Sequence, residues 1–237
     1  MSPYLFAIHI NDVASAVEHL DVGCKLGLVS LCIVLYADDI LLLAPSVSSL
    51  QTLFSACEAE LANLDLAIYS KKTVCVRIGP RFNVKCCNIV TADGTSLTWV
   101  DKIRYLGVFI VNNRQFRCSF DSMKSRFNRS FNAIYGKIGR TASHDVILKL
   151  VESKCLPTLL YGVDVVPVSK TDLKSVEFTF NRALMKIFRT SSMSVIQECM
   201  SFFGLGLLSL NSIVNKRKSK FLWRYLSADK FFVPVFF

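Results

Sequence analysis

Short apolar runs and longer apolar stripes divide the chain into predicted strands and helices. The most informative run covers residues 31–44, where two adjacent acids, Asp38 and Asp39, interrupt an otherwise apolar sequence. Apolar runs rich in Val, Ile and Leu on both sides of a short polar interruption predict a β-hairpin buried on both faces, with the acids at its bend. Further strands are predicted over residues 74–78, over 89–99, with a hairpin turn at Asp93-Gly94, and over 103–110.

Apolar residues at helical spacing predict helices through the rest of the chain. The first helix is predicted to start with Ser2 as its N-cap and Pro3 at its first position, and its apolar side includes Ile8. A helix capped by Ser143 is expected to stop at Pro157. The other predicted helices cover 50–64 with Ser48 or Ser49 as cap, 120–138, 169–187 with Ser169 and Asp172 as a capping pair, 193–203 before a break at Gly204 and Gly206, and 211–226.

The composition indicates an intracellular protein with a large core. Hydrophobic residues make up 52% of the 237 residues, which excludes a disordered chain. The longest apolar stretch, 26–44, is about as long as a membrane span, but two acids near its middle make insertion unfavourable, so no membrane helix is predicted. Nine scattered cysteines without a Cys-x-x-Cys pair indicate buried reduced thiols and not zinc ligands or disulfides.

The charge is unbalanced and clustered. A formal charge of +10 favours a polyanionic partner. The Lys and Arg residues form two clusters, and each cluster taken alone indicates either a solvated helix face or a surface that follows phosphates. The first cluster contains a single acid, Asp121, and its basic residues are Lys102, Arg104, Arg114, Arg117, Lys124, Arg126, Arg129, Lys137 and Arg140. The second cluster consists of Lys216, Arg217, Lys218, Lys220 and Arg224.

The acid pair has two interpretations. Adjacent carboxylates repel each other unless one takes up a proton or a cation neutralises both. Divalent ions such as Mg²⁺ prefer carboxylate oxygens and keep open positions for phosphate and water, so Asp38 and Asp39 are candidate metal ligands. The alternative is a solvated Asp-Asp turn, and the residues alone leave both interpretations open.

The acid pair lies in a segment that resembles reverse transcriptases. Tyr36-Ala37-Asp38-Asp39 matches the Tyr-x-Asp-Asp motif of that family, and the string extended to Leu43 resembles its non-LTR, LINE-type retrotransposon branch. Residues 2–6 match the end of the preceding family motif, Leu-Ser-Pro-x-Leu-Phe. The upstream Gln-Gly pair of that motif is missing.

Two later segments support the resemblance. Residues 64–73 resemble the element Leu-Gly-Leu-x-x-Asn-x-x-Lys-Thr, with Lys72 and Thr73 matching and departures at Asp65 and Tyr69. The residues Tyr105, Leu106 and Gly107 resemble the primer-grip motif, where a tight backbone at glycine lets the chain approach the primer end. The resemblance covers most of residues 2–190.

The resemblance implies an α+β fold. It predicts an incomplete polymerase palm over 1–113, an antiparallel sheet with packed helices, followed by a mainly α-helical thumb over 114–190 and a poorly defined helical connection over 191–237. The family carries its first metal-binding Asp further upstream, so the N-terminal part of the polymerase is expected to be missing. Asp12 and Asp21 are interpreted as surface acids, because no matching motif surrounds them.

The implied activity is RNA-directed DNA polymerisation, in which a primer 3′-hydroxyl attacks the α-phosphate of a deoxynucleoside triphosphate. By resemblance, Asp38 and Asp39 would hold Mg²⁺, with Mn²⁺ as an alternative ion, and Tyr36 and Ala37 would line the primer end. Lys72 is either the general acid for the pyrophosphate leaving group or a surface lysine before an edge strand. The partners would be an RNA template, a DNA primer and dNTPs, with Lys124, Arg126 and Arg129 following the duplex backbone.

A second hypothesis comes from another class of protein. A metal site that lacks its upstream Asp should bind metal poorly, so the chain is either a polymerase segment that is inactive alone or a non-catalytic nucleic-acid-binding remnant of a retroelement. Both hypotheses place it inside the cell, in the cytoplasm, the nucleus or both.

Overall fold

The computed structural model describes residues 3–27, 29–139, 141–203 and 210–227. The chain divides into two compact units. The N-terminal unit comprises Met1–Ile103 and Asn112–Arg114, and the C-terminal unit comprises Arg104–Val111 and Gln115–Phe237. The helices are α1 (Pro3–His19), α2 (Val47–Asn63), α3 (Asp121–Ile138), α4 (His144–Leu150), α5 (Leu156–Leu159), α6 (Lys170–Phe188), α7 (Met193–Phe202) and α8 (Leu210–Ser227).

Within the described ranges the strands are short and form four separate small sheets. With the helices they make a mixed α and β chain, compatible with the predicted α+β class. The strands are β1 (Cys24–Leu26), β2 (Val29–Leu31), β3 (Ile33–Tyr36), β4 (Asp39–Leu42), β5 (Val74–Cys75), β6 (Thr98–Trp99), β7 (Lys102–Tyr105), β8 (Val108–Val111) and β9 (Arg117–Ser119).

The core of the N-terminal unit lies between α1, α2 and one face of the β3–β4 hairpin. Ile10, Val13 and Val17 of α1 are buried against Leu53 and Cys57 of α2. They follow one another at helical spacing, so each helix turns a single apolar stripe inward. Ile8 lies outside that stripe and is 58% exposed, which corrects the prediction that it belongs to the apolar side.

The ends of α1 and α2 differ from the prediction in one respect. Helix α2 is capped by Ser46, whose hydroxyl accepts a hydrogen bond from the backbone N–H of Ser49, so the cap is neither Ser48 nor Ser49. The predicted cap of α1, Ser2, lies outside the described residues, and Pro3 is the first residue of the helix.

A second small core of this unit joins α2 to residues 74–99. Phe54, Cys75, Ile89 and Leu97 are its buried members. Strand β5 is limited to two residues and pairs parallel with β6, so the predicted strand over 74–78 is mostly irregular. The predicted turn at Asp93-Gly94 is present, with the N–H of Leu97 donating to the carbonyl of Ile89 at 2.8 Å across it, but only an isolated bridge joins its two arms.

The C-terminal unit is mainly helical. Its core is built from α3 to α8, and the aromatic stripe of α3 lies at its centre. Buried Met123, Phe127 and Phe131 confirm the predicted inward face of α3. Ser169 and Asp172 form the predicted capping box at the start of α6. Helices α7 and α8 are confirmed as well, and Ile196 and Val214 anchor them in the same core.

Pro157 does not end a helix as predicted. Helix α4 continues into a π-helical turn over Val151–Cys155 and then into α5, where the proline lies in the first turn. The N–H of Leu156 donates to the carbonyl of Val151, five residues back. The wider turn accommodates the missing N–H and the bulk of the proline ring, which an uninterrupted α-helix could not.

All nine cysteines are free thiols in the structure, and five of them are buried. Burial raises the pKa of the Cys57, Cys75 and Cys118 thiols to about 11, with smaller contributions at Cys57 from the charge of Glu58 and at Cys75 from Cys86. Among the described residues, no helix is both long enough and apolar enough to cross a membrane. The predicted break at Gly204 and Gly206 lies outside the described residues.

Candidate functional site

The acid pair lies at a two-residue hairpin turn. Strands β3 and β4 pair antiparallel with Tyr36 opposite Asp39, so Ala37 and Asp38 form the turn. Ala37 has a φ of 51°, a left-handed conformation that costs an alanine about 1 kcal/mol. All four residues of the Tyr-Ala-Asp-Asp motif are exposed. The structure therefore brings together the four residues that the sequence singled out here and presents them to solvent.

The two faces of this hairpin differ, which corrects the prediction of burial on both. Ile33, Leu35, Ile40 and Leu42 pack against the core formed with α1 and α2. The opposite face carries Val34 and Leu41, and none of the residues of β3 and β4 is fully buried. Because side chains alternate along a strand, packing Leu35 and Ile40 inward leaves the pair Tyr36 and Asp39 on the opposite, open face.

The donor chemistry of Asp38 and Asp39 suits a hard divalent cation. Two carboxylates supply only oxygen ligands, and their exposure leaves room for water and phosphate. Within the described part of the chain, no group of three or more His, Cys, Asp or Glu side chains is placed to hold a metal ion. In the described residues, the hairpin thus presents two adjacent carboxylates without a third His, Cys, Asp or Glu beside them.

Lys72 lies in a tight turn of the N-terminal unit. Its backbone N–H and that of Thr73 both donate to the carbonyl of Tyr69, and its ammonium nitrogen lies 5.5 Å from the centre of the Tyr69 ring. No described carboxylate is within ion-pair distance of this ammonium. Tyr69 replaces the asparagine usual in the related motif, so the lysine has an aromatic neighbour here.

The Tyr105-Leu106-Gly107 motif forms a turn and not the middle of a strand. The predicted strand over 103–110 is broken into β7 and β8, and the backbone angles φ of Leu106 and Gly107 are 45° and 82°. Positive φ at both central residues is the geometry of a tight hairpin turn, which glycine adopts easily and leucine does not. This turn belongs to the C-terminal unit.

Tyr161, which the sequence did not single out, supports this turn. Its hydroxyl donates to the carbonyl of Leu106 at 2.9 Å. A Cβ atom placed on Gly107 would lie 3.1 Å from the ring of Tyr161, so the ring covers the glycine closely. A contact between residues 55 positions apart in the sequence leaves no local signal, and only the packing of the C-terminal unit reveals it.

The three basic side chains of α3 that the sequence singled out differ in their exposure and in the contacts that they already make. Lys124 is only 24% exposed and is held between the Asp121 carboxylate at 2.8 Å and the Ser175 hydroxyl at 3.0 Å. Arg126 is half-buried, Arg129 is exposed, and neither has an ion-pair partner among the described carboxylates. Because Lys124 already contacts Asp121 and α6, its ammonium group is less available to a ligand than the guanidinium groups of Arg126 and Arg129.

Two comparisons with known proteins bear on this site. Residues 1–110, which include the acid hairpin, match the sequence model of the family described as "Reverse transcriptase (RNA-dependent DNA polymerase)". The chain is also 27% identical over 142 residues to the "Retrovirus-related Pol polyprotein from type-1 retrotransposable element R1 3" of Nasonia vitripennis. This alignment covers 55% of the chain and 37% of the relative, so the chain spans little more than a third of the relative's length.

The acid hairpin thus lies in a segment, the first 110 residues, that matches the reverse transcriptase family model. The similarity to a type-1 retrotransposable element supports the likeness to the non-LTR, LINE-type retrotransposon reverse transcriptases. Both agree with the resemblance that the motifs indicated.

Proposed function

We propose that this chain is part of a retrotransposon RNA-directed DNA polymerase and provides its acid hairpin. The reaction is the addition of deoxynucleotides from dNTPs to a primer 3′-hydroxyl on an RNA template. The observation that carries the proposal is the two-residue turn that presents Asp38 and Asp39 to solvent from a hairpin whose other face is packed. This turn lies inside the segment that matches the family.

Within this proposal each motif residue has a role. Asp38 and Asp39 hold Mg²⁺, or Mn²⁺ in its place, and a bound cation would supply the Lewis acidity that activates a primer hydroxyl and neutralises phosphate charge. Tyr36 and Ala37 line the primer end beside the acids. The exposed ammonium of Lys72 serves as the proton donor to pyrophosphate.

The remaining residues act on nucleic acid. The turn at Tyr105, Leu106 and Gly107 contacts the primer through its backbone. Arg126 and Arg129 of α3 follow the phosphates of the duplex, and Lys124 contributes to this surface by holding α3 against α6. In this proposal, residues 1–113 form the palm, residues 114–190 the thumb, and residues 191–237 the connection. The protein acts in the cytoplasm, the nucleus or both, which imaging of a tagged full chain would test.

The chain alone is expected to be inactive. Two carboxylates without a third ligand hold a divalent cation weakly, and loss of one member of a group that works as a unit lowers rates by orders of magnitude. With an RNA template, a DNA primer, dNTPs and Mg²⁺, we expect no primer extension by the isolated chain. Clear extension that Asp38→Ala abolishes would contradict this expectation.

A chimera tests the polymerase role directly. We propose to graft this chain into the Nasonia relative in place of the matched segment and to measure primer extension on RNA. The chimera should extend the primer, and Asp38→Ala or Asp39→Ala should reduce the rate at least about a hundredfold. Asp12→Ala, which removes an exposed acid from α1, is the matched control and should leave the rate unchanged.

The second candidate is a non-catalytic nucleic-acid-binding remnant. It is favoured by the incomplete ligand set, combined with the open cations on α3. A chimera that folds and binds RNA with strong salt dependence but never extends a primer would support the remnant and overturn the polymerase role.

A further inference from the structure

The first half of α8 is firmly anchored in the C-terminal unit. Leu210 and Val214 are buried in its core and Ile213 packs against it. Arg217 donates to the carbonyl of Leu160 at 3.3 Å and lies 4.0 Å from a carboxylate oxygen of Asp164. One side of the helix is therefore committed to the protein, and its other side is turned outward.

The outward side of the second half carries large apolar residues. Trp223 is 70% exposed, Leu226 is 77% exposed and Leu222 is 49% exposed. Phe221 and Tyr225, on the inward side, are half-buried and stack on each other with ring centres 6.3 Å apart. An exposed tryptophan flanked by two exposed leucines is uncommon on a protein surface and indicates a binding patch.

The charge of α8 complements an anion. The helix contains five Lys or Arg residues and no Asp or Glu. Exposed Lys216 and Lys220 precede Trp223 by seven and three positions, so the three side chains lie along one row of the helix surface. We call this row, together with Leu226, the tryptophan row.

We propose that the tryptophan row binds single-stranded nucleic acid, with an unpaired base stacked on Trp223 and the phosphates on either side against Lys216 and Lys220. An indole face stacks on any base that is not already paired, and lysines beside it follow the backbone without reading sequence. A paired duplex offers no free base face for Trp223, so the row differs in specificity from a surface that only follows phosphates.

Two other occupants fit the row less well. A second copy of α8 would bring five cations against five cations, which like-charge repulsion opposes. An anionic membrane would need a larger apolar face, but exposed Asn215 and Ser219 lie on the same side of the helix and confine the apolar strip to its last turns.

Tryptophan fluorescence of the full chain tests the proposal. The chain has two tryptophans, and Trp99 is half-buried with its indole N–H donating to the carbonyl of Cys87. In a Trp99→Phe variant, titration with a single-stranded RNA or DNA oligonucleotide should quench the emission of Trp223. Trp223→Ala should weaken binding of the same oligonucleotide, followed by its own label, about tenfold, and Trp223→Phe should restore most of it.

Matched variants separate stacking from charge. Lys220→Gln should lower the slope of log affinity against log salt by about 0.7. Phe202→Ala, on α7, removes an aromatic that is 86% exposed from a helix without Lys or Arg, and it should leave binding unchanged.

Three results would overturn the proposal. The first is quenching of Trp223 emission by a fully paired duplex that equals quenching by the single strand. The second is a blue shift of that emission on anionic vesicles without quenching by oligonucleotides. The third is self-association of the chain that Trp223→Ala abolishes. Binding at equilibrium requires no catalysis. A chimera that fails to extend primers therefore leaves this test intact, and failure of this test leaves the polymerase proposal intact.

Discussion

At the scale of single residues, the backbone is strained at two turns that carry motif residues. Ala37 has a positive φ beside the acid pair, and Leu106 and Gly107 both have positive φ in the predicted primer contact. Non-glycine residues with this backbone persist only when surrounding contacts hold them. For Leu106 the hydrogen bond from Tyr161 to its carbonyl is such a contact.

Replacement of Gly107 by alanine tests how closely Tyr161 covers the turn. We expect Gly107→Ala to lower the free energy of unfolding by about 1–2 kcal/mol, because alanine is disfavoured at a φ of 82° and its Cβ would lie 3.1 Å from the ring. Urea denaturation measures the change. In the double variant with Tyr161→Ala, removal of the ring should make the two effects less than additive.

Gly136→Ala is the control for this experiment. Gly136 lies within α3 with nothing within 4 Å of a Cβ at that position, so alanine should stabilise the protein by about 1 kcal/mol. Equal destabilisation by both glycine replacements would rule out a specific role for the turn.

At the scale of elements, one ion pair links the start of α6 to β9. The Asp172 carboxylate accepts hydrogen bonds from Ser169 within the capping box and from Arg117 of β9 at 2.8 Å. Burial alone would raise the pKa of Asp172. The hydrogen bonds from Ser169 and Arg117, with the charge of Arg117, outweigh burial and lower this pKa below its usual value.

Asp172→Asn should therefore destabilise the protein in a pH-dependent way. At pH 7 we expect a loss of about 1–2 kcal/mol, since the variant removes the ion pair with Arg117 and replaces the charged acceptor of the capping box with a weaker, neutral one. A carboxyl whose pKa is lower in the folded state stabilises it above the unfolded pKa of about 3.9, and this contribution disappears as the pH falls through the folded pKa. The difference from the unaltered protein should shrink below about pH 4 in denaturation series.

Arg117→Gln is the companion variant. It removes the ion pair but keeps the capping box, so it should cost less than Asp172→Asn, and the two effects should not add. A constant difference between Asp172→Asn and the unaltered protein from pH 7 to pH 3 would contradict the pKa argument.

At the scale of the whole molecule, thiols report on both units. Buried Cys57 and Cys75 lie in the N-terminal unit, and Cys118 lies in the C-terminal unit. Their pKa values of about 11 keep them protonated at neutral pH, and the thiolate is the reactive form. Cys87, in contrast to these three, is exposed to solvent.

Thiol labelling followed by mass spectrometry measures the order in which the cysteines react. At pH 8 a small alkylating reagent should modify Cys87 first and the three buried thiols only after denaturation, whereas a Cys87→Ser variant should lose the fast phase. Thiols in the unfolded chain ionise near pH 8.5, whereas the three buried thiols ionise near pH 11 in the folded protein. The free energy of unfolding should therefore fall as the pH rises from about 8.5 towards 11. Rapid labelling of Cys57 in the native protein would contradict the burial of the α2 core.

The amino-acid sequence by itself determined the features that depend on neighbours along the chain. Helical stripes, the capping box at Ser169 and the acid pair between two apolar runs could all be predicted, because periodicity and local hydrogen bonds act within a few residues. The same local signals indicated the resemblance to reverse transcriptases, which the family match over residues 1–110 supports.

Only the tertiary structure decided features that depend on distant contacts. It selected which face of the acid hairpin packs, divided the strand at Leu106 and Gly107, tied Lys124 to α6 and continued a helix across Pro157 through a π-helical turn. Each outcome is set by packing between residues far apart in the sequence. The local pattern permits several arrangements there, and only one of them fills the core.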